Sequence, residues 1–153
     1  MDQSEQKVID DVKKYGWHVL QIVKTEDSPP WAFSVGLCKT FKHPEIIIFG
    51  MDLDLMHQLI NNMVLKIKEG EVYAVDKEYP EILEGYNCKF LPVDKKWYSA
   101  FMGWALWFYK GDEFTTLQCV WPDKENNWSW EKKFNKKWKG LQPLLVDEDY
   151  KIK

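Results

Sequence analysis

The sequence predicts one α+β domain, in which a mostly antiparallel sheet of about five to six strands is packed by two to three helices. Short segments that alternate polar and apolar residues, or that are continuously apolar, recur along the chain and are typical of strands. Two further segments carry apolar residues at helical spacing. The length of 153 residues suits a single domain over residues 1–153.

The first half of the chain begins with a predicted helix and a hairpin. Apolar residues at helical spacing predict a helix over residues 4–15, and Gly16 is a natural end for it. Residues 17–23 and 31–36 read as strands separated by a polar turn, which predicts an antiparallel pair. The continuous apolar run 46–49, bounded by Pro and Gly, indicates a strand buried on both faces.

The clearest predicted helix follows this buried strand. Asp52 is a suitable N-cap, and Glu69 and Gly70 end the pattern. One face of the helix carries an unbroken apolar stripe, which indicates packing against the sheet. The stripe consists of Met56, Leu59, Ile60, Met63, Val64 and Ile67.

The second half is predicted to contain three more strands and one more helix. Short strands near 72–75 and 88–91 flank a loop that contains Tyr79 and Pro80. The predicted helix over 95–110 is apolar nearly all round, so it is either fully buried or presents one face to a partner. Phe114 to Trp121 reads as the last strand.

Composition disfavours nucleic-acid and membrane functions. All 21 basic residues are Lys, and Lys lacks the planar fork with which Arg recognises phosphate and guanine. The net charge of -3 also argues against a nucleic-acid partner. No apolar stretch approaches the roughly 18 residues of a transmembrane helix. Residues 1–5 are polar and acidic, unlike a signal peptide, so we expect a cytoplasmic protein with no membrane contact.

The sequence shows no metal or cofactor motif. The three histidines share no ligand spacing, and no phosphate-binding glycine loop or esterase motif occurs. We therefore expect no metal, no cofactor and no complete catalytic set. The three cysteines are widely spaced, which favours buried thiols over disulfides or zinc ligands. They are Cys38, Cys88 and Cys119.

One loop between two predicted strands, residues 36–45, contains the residues most suited to a site. Cys38 and His43 would form a nucleophile and base if the imidazole reached the thiol and Glu45 oriented it. The alternative, which the sequence favours, is that His43 and Glu45 brace the loop by hydrogen bonds. A second candidate segment, residues 124–139, interleaves tryptophans with lysines. We favour structural packing there, then an acidic protein partner, then single-stranded nucleic acid.

Several motifs in order resemble one family. Residues 31–37 and 43–45, followed by the apolar strand, are similar to the opening signature of domain-of-unknown-function family 4262. Residues 117–123, 128–131 and 142–145 resemble its later segments, with Ser129 where Pro is common. The resemblance covers about residues 5 to 145 and implies a small bacterial α+β protein without implying an activity. The motif residues mark where a site would lie: Gly36, His43, Pro44, Glu45, Gln118, Pro122 and Asp123.

The residues support two classes of function. The first is a non-enzymatic interaction domain, of the immunity or antitoxin type, that binds and blocks a bacterial toxin; small size, acidic charge and aromatic excess suggest it. This hypothesis expects Trp97, Trp104 or Trp107 to be exposed on a contiguous patch. The alternative is a small enzyme or flavin-type domain, with a pocket formed by residues 36–45 and 121–123. Nucleic-acid binding is the weakest possibility.

Overall fold

The computed structural model describes residues 1–153, which form one six-stranded sheet and five helices. The strands are β1 (His18–Ile22), β2 (Trp31–Val35), β3 (Glu45–Phe49), β4 (Glu78–Leu83), β5 (Tyr86–Pro92) and β6 (Thr116–Val120). The helices are α1 (Gln3–Tyr15), α2 (Leu37–Phe41), α3 (Leu53–Lys68), α4 (Tyr98–Phe101) and α5 (Gly103–Tyr109). None of these helices is both long and apolar enough to cross a membrane.

The strand order is β1-β2-β3-β6-β5-β4, so the chain builds two antiparallel groups that meet in the middle of the sheet. At this junction β3 and β6 run parallel, with Glu45 opposite Thr116 and Ile47 opposite Gln118. All other neighbouring strands are antiparallel. The structure therefore confirms the α+β class and the mostly antiparallel sheet.

Each face of the sheet is covered by helices, and the central strands supply side chains to both hydrophobic cores. On one face α3 packs over Ile46 and Ile48. On the other face α1, α4 and α5 pack over Ile47 and Phe49. Successive side chains of a strand point to opposite faces, so a strand covered on both sides buries apolar side chains on both of its faces. This explains the continuous apolar run of residues 46–49 in β3, all of which are buried.

Local signals placed the first helix and the hairpin correctly. The Asp2 side chain accepts the Glu5 amide N–H and the Glu5 side chain accepts the Asp2 N–H, which completes a capping box at the start of α1. Gly16 ends this helix with a left-handed φ of 104°. β1 pairs with β2 in an antiparallel hairpin, as predicted.

The predicted strand near residues 72–75 is wrong, and the loop predicted around Tyr79 and Pro80 is the edge strand β4. Val72 is exposed, whereas Tyr73 turns inward and packs against Tyr79 and Phe90. The register of β4 shifts after Tyr79, which leaves room for Pro80 at the edge of the sheet. A proline is tolerated there because an edge strand has backbone N–H groups that need no partner strand.

The single helix predicted over residues 95–110 is interrupted at Met102, where φ is −131° and ψ is 38°. The carbonyl of Phe101 accepts the indole N–H of Trp31 (3.0 Å) instead of a helical amide. The amide of Ala105 turns to the carbonyl of Met102 (3.0 Å) and starts α5 there. A tertiary hydrogen bond therefore replaces the helical bond at the break, and Gly103, a weak helix former, follows it.

The predicted loop over residues 36–45 contains the short helix α2, which the sequence did not reveal. Gly36 precedes it with a φ of 112° and Lys42 follows it with a φ of 57°. A five-residue helix has too few positions for a helical pattern to be recognised in the sequence. The helix turns its first amide groups toward the start of β3, and this arrangement forms the first part of the candidate site.

Candidate functional site

Glu45, the first residue of β3, is a completely buried carboxylate without a cationic partner. Its two oxygens instead accept hydrogen bonds from five groups of the surrounding chain, three of them backbone amides at the start of α2. The donors are Ser34 Oγ (2.8 Å), Gly36 N (3.2 Å), Leu37 N (3.2 Å), Cys38 N (3.1 Å) and the Tyr109 hydroxyl. The carboxylate thus joins β2, α2, β3 and α5.

Burial raises the pKa of Glu45, and the hydrogen bonds donated by Tyr109, Cys38 and Ser34 act in the opposite direction. Burial also raises the pKa of the Tyr109 hydroxyl, so this group donates to the carboxylate as a neutral phenol. Every hydrogen-bonding position around Glu45 is filled by the chain itself. The carboxylate therefore has no free oxygen with which to act on a substrate, and it holds the loop.

Gly36 is required by the backbone conformation at the same place. Its φ of 112° lies in the region that favours glycine, and a Cβ atom there would lie 2.7 Å from the carbonyl oxygen of Gly16. The absence of a side chain lets the start of α2 approach the end of α1. The predicted site residue Gly36 is therefore a packing position.

His43 is held by hydrogen bonds from both ring nitrogens. Its Nδ1 lies 2.8 Å from the carbonyl of Pro44, and its Nε2 lies 3.2 Å from the backbone amide of Tyr73. The carbonyl can only accept and the amide can only donate, which assigns the proton to Nδ1. Burial lowers the pKa of His43, in agreement with a neutral ring.

The nucleophile pair considered for this loop does not form. Neither nitrogen of His43 is free to take a proton from Cys38, whose thiol points at the carbonyl of Thr115 (3.7 Å). Burial raises the pKa of Cys38, which disfavours the thiolate. In the structure, His43 and Glu45 brace the loop by hydrogen bonds, which is the second of the two interpretations of this segment.

Gln118 and Gln142 fasten the C-terminal segment to the sheet. Gln118 donates to the carbonyl of Pro143 (2.8 Å) and accepts the amide of Leu145 (3.0 Å). Gln142 bonds both the amide and the carbonyl of Trp121 at 2.9 Å. Each side-chain amide pairs with the backbone much as a neighbouring strand would, so Gln118 is a structural residue.

Asp123 organises the turn that follows β6. One carboxylate oxygen accepts the amides of Glu125 (3.0 Å) and Asn127 (2.8 Å), and the other accepts the amide of Asn135 (2.8 Å). Desolvation raises the pKa of this carboxyl, but the bonds from Asn127, Asn135 and Glu125 outweigh it and lower the pKa. Asp123 is therefore an ionised loop organiser with its acceptor positions occupied.

The flavin-type alternative needed residues 36–45 and 121–123 to share a pocket, and the sheet separates them. Glu45 starts β3 opposite Thr116 at the start of the parallel strand β6. Trp121 follows the far end of β6 and donates its indole N–H to Phe49 (2.8 Å), the last residue of β3. The two segments therefore lie at opposite ends of the central strands.

The three tryptophans predicted to form a patch are each half-buried around the broken helix. The indole N–H of Trp97 donates to the carbonyl of Val146 (3.3 Å). Trp104 and Trp107 contact each other edge to face, with ring centroids 5.6 Å apart. The only buried side-chain nitrogen or oxygen without a partner belongs to Asp76. The indole N–H groups of Trp104 and Trp107, which have no partner in the chain, are therefore open to solvent.

A groove of about 380 Å³ lies beside Trp104 and Trp107, and the other side is lined by Asp2 and Glu5. Each carboxylate uses one oxygen in the capping box of α1, which leaves its second oxygen without a partner. Sequence analysis missed these two residues, although the pattern Asp-x-x-Glu before a helix signals a capping box. That pattern does not reveal which surface lies beside it.

The aromatic rings of segment 124–139 pack against one another and against the sheet, in line with the structural interpretation. Trp128 and Trp130 stack with ring centroids 5.4 Å apart, and the Nζ of Lys89 lies 5.3 Å and 5.9 Å from the two rings. The lysines of the segment point to solvent. The ammonium group of Lys89, from β5, therefore already forms a cation–π contact with both rings.

No group of three or more His, Cys, Asp or Glu side chains is placed to hold a metal ion. Comparison with known proteins gives one family. Residues 11–135 match the family model described as "Domain of unknown function (DUF4262)". No curated protein and no solved structure matches the chain.

Proposed function

The chain belongs to the DUF4262 family, and we propose that it is a non-enzymatic interaction domain of the immunity or antitoxin type. Its partner is a basic protein segment, bound at the acidic aromatic groove of Asp2, Glu5, Trp104 and Trp107. The observation that carries the proposal is that the second carboxylate oxygens of Asp2 and Glu5 are unpaired and lie beside two half-buried tryptophan rings, whereas the polar side chains of the motif residues are paired within the chain.

The groove has the chemistry that a lysine or arginine side chain requires. Two aromatic rings at right angles offer a face and an edge at one place. A cation over an aromatic face is attracted by the ring quadrupole, and the attraction grows when the contact excludes water. The free oxygens of Asp2 and Glu5 supply the opposite charge.

Interface energetics favour the same surface. Tryptophans that are partly exposed bury a large apolar area on binding with little loss of side-chain freedom, and they are enriched among the residues that dominate binding energy. The net charge of -3 adds a long-range attraction for a basic partner. A protein that blocks a cationic active site needs this combination.

The test uses the purified product of the adjacent gene, mixed with the chain and followed by light scattering and calorimetry. We expect a stable complex and neutralisation of any toxic activity of that product. Trp104→Ala is expected to weaken binding at least about 30-fold, as for a central interface residue. Trp130→Ala, which removes an aromatic ring outside the groove, is the matched control and leaves affinity unchanged.

The double variant Asp2→Asn with Glu5→Gln isolates the charges. Asn and Gln preserve the capping box, so α1 keeps its cap while both negative charges are removed. We expect about tenfold weaker binding and a smaller dependence of affinity on salt. The proposal is abandoned if the adjacent-gene product does not bind, or if neither variant changes its affinity.

A further inference from the structure

The two edges of the sheet are protected to different degrees. β4 forms one edge and carries Pro80 and a register shift, both of which hinder pairing with another strand. β1 forms the other edge, and its five residues contain no proline and no Lys, Arg, Asp or Glu. Regular unpaired strands of this kind are templates for an added strand. The edge at β1 thus lacks the proline, the charged residues and the register shift that hinder strand pairing at other edges.

The register of the sheet identifies which backbone groups of β1 are unpaired. The amide of Gly50 donates to the carbonyl of Pro30 (2.9 Å), so even-numbered residues of β2 direct their backbone groups to β3 and odd-numbered residues direct theirs to β1. The odd-numbered residues of β2 pair with the even-numbered residues of β1. The N–H and C=O groups of Val19 and Gln21 therefore point away from the sheet.

A groove of about 580 Å³ follows this edge, and both Val19 and Gln21 line it. Side chains of α1, such as Lys7, form one wall, and His57 and Asn61 of α3 form the other. A neighbouring groove is lined by β1 from His18 to Ile22 and reaches Trp104. The unpaired edge and the acidic aromatic groove are thus parts of one surface.

The two walls of the groove along β1 leave room for a single extended strand. Helix side chains from both faces of the sheet line the groove, so they extend past the strand edge. A second copy of the chain would bring the same two walls to the same place, and two paired strands must approach to about 4.8 Å. An isolated extended segment fits between the walls without this conflict.

We infer that the partner binds by strand addition: an extended segment pairs its backbone with Val19 and Gln21 and becomes the seventh strand of the sheet. The assignment of a basic residue to the Trp104 end of this segment rests on the proposed function, whereas the strand pairing does not. Main-chain hydrogen bonds supply most of the affinity in this mode, and side chains beside the strand supply specificity.

The test uses a heptapeptide with blocked ends, an Arg followed by alternating Val and Thr, titrated against the full chain. Gln21→Pro removes the outward N–H without touching the ladder to β2, and Gln21→Ala keeps that N–H and serves as the matched control. We expect Gln21→Ala to bind like the wild type within about twofold, and Gln21→Pro to bind about tenfold more weakly or worse.

Two further measurements avoid any effect of the proline on folding. A peptide of the same sequence, N-methylated at alternate residues, is expected to lose binding to the wild type. The amide protons of Val19 and Gln21 are expected to exchange rapidly in the free chain and slowly in the complex.

The inference is overturned if the heptapeptide does not bind, if N-methylation leaves its affinity unchanged, or if the chain forms a dimer that Gln21→Pro dissociates. Two outcomes also distinguish strand addition from binding of a basic partner. Replacing the peptide's Arg by Thr with no loss of affinity supports strand pairing and contradicts a basic partner. Loss of binding in Trp104→Ala but not in Gln21→Pro contradicts strand pairing and supports the basic partner.

Discussion

Several buried polar side chains of this molecule form hydrogen bonds with backbone groups of the loops. Glu45 accepts hydrogen bonds from three backbone amides at the start of α2, and Asp123 accepts three from backbone amides in the turn after β6. Gln118 and Gln142 pair with the C-terminal segment, and His43 links two loops. Buried polar groups need partners, and here each of these five side chains satisfies backbone groups that a loop would otherwise leave unpaired.

Glu45→Gln tests the first of these arrangements. One end of a glutamine amide is a donor, so in either orientation it faces backbone amides that also donate. We expect the free energy of unfolding at pH 7 to fall by about 1–3 kcal/mol, the cost of leaving a buried donor unpaired. Chemical denaturation measures the change, and Glu84→Gln on the exposed surface is the matched control.

The same variant gives a pH prediction. The pKa of Glu45 is raised in the folded protein above its ordinary value of 4.5, so the folded state binds this proton more tightly than the unfolded state. Its contribution to stability is therefore present below pH 4.5 and is lost as the pH rises through the folded pKa. Glu45→Gln should remove this dependence. Parallel stability curves for the two proteins over pH 4 to 8 would contradict the prediction.

Gly36→Ala tests the close approach of α1 and α2. Gly85→Ala is the matched control, because Gly85 also has a positive φ, of 84°, but nothing lies near its absent Cβ. We expect the control to cost about 1 kcal/mol for backbone strain, and Gly36→Ala to cost clearly more because its Cβ would meet Gly16. Equal losses of thermal stability would show that the contact is unimportant.

At the scale of elements, local sequence predicts where a helix begins better than where it breaks. The capping box of α1 and its terminal Gly16 lie within the helix and its flanks, and both were readable. The break at Met102 depends on Trp31, which lies 70 residues from its acceptor, the carbonyl of Phe101. The apolar sequence around Met102 does not show that a distant indole N–H will bond to the carbonyl of Phe101.

Trp31→Phe tests this contribution to the break. Phenylalanine keeps one aromatic ring at this position but removes the indole N–H that satisfies the carbonyl of Phe101. We expect the free energy of unfolding to fall by about 1–3 kcal/mol, since a half-buried acceptor loses its partner. Trp104→Phe removes an indole N–H that has no partner in the chain and should stay within about 0.5 kcal/mol of the wild type. Equal effects of the two variants would exclude the tertiary bond as the cause.

At the scale of the whole molecule, the parallel pair β3 and β6 joins the two cores. Ile48 packs into the core under α3, and Ile47 packs into the core under α1, α4 and α5. Both side chains are fully buried. Because adjacent residues of one strand anchor opposite faces, loss of either core disturbs the strand that supports the other.

Ile47→Ala and Ile48→Ala should therefore each lower stability by about 2–5 kcal/mol, the usual cost of deleting buried methyl groups. Each variant is expected to unfold in one transition that tryptophan fluorescence and far-ultraviolet circular dichroism report together. A second transition in either variant, or curves that differ between the two probes, would mean that the cores unfold independently.

The strand Glu45–Phe49, the helix Leu53–Lys68 and the cap of α1 are specified by neighbouring residues, through periodicity and turn chemistry. The strand placed near residues 72–75 failed because the amides of Tyr73 and Ala74 donate to the side chains of His43 and Tyr79 and not to a neighbouring strand. Periodicity in the sequence shows which face of an element is apolar, but it does not show which distant residues of the chain that face will contact.

The sequence by itself determined the α+β class, the buried central strand and the positions of the motif residues. Only the tertiary structure decided what those residues do, which tryptophans keep an unpaired indole N–H, and that β1 forms a free edge of the sheet. The physical reason is that burial and pairing are set by contacts between residues far apart in the chain. Local patterns reflect the average environment of a segment, whereas the order of strands fixes which backbone groups and side chains are left for a partner.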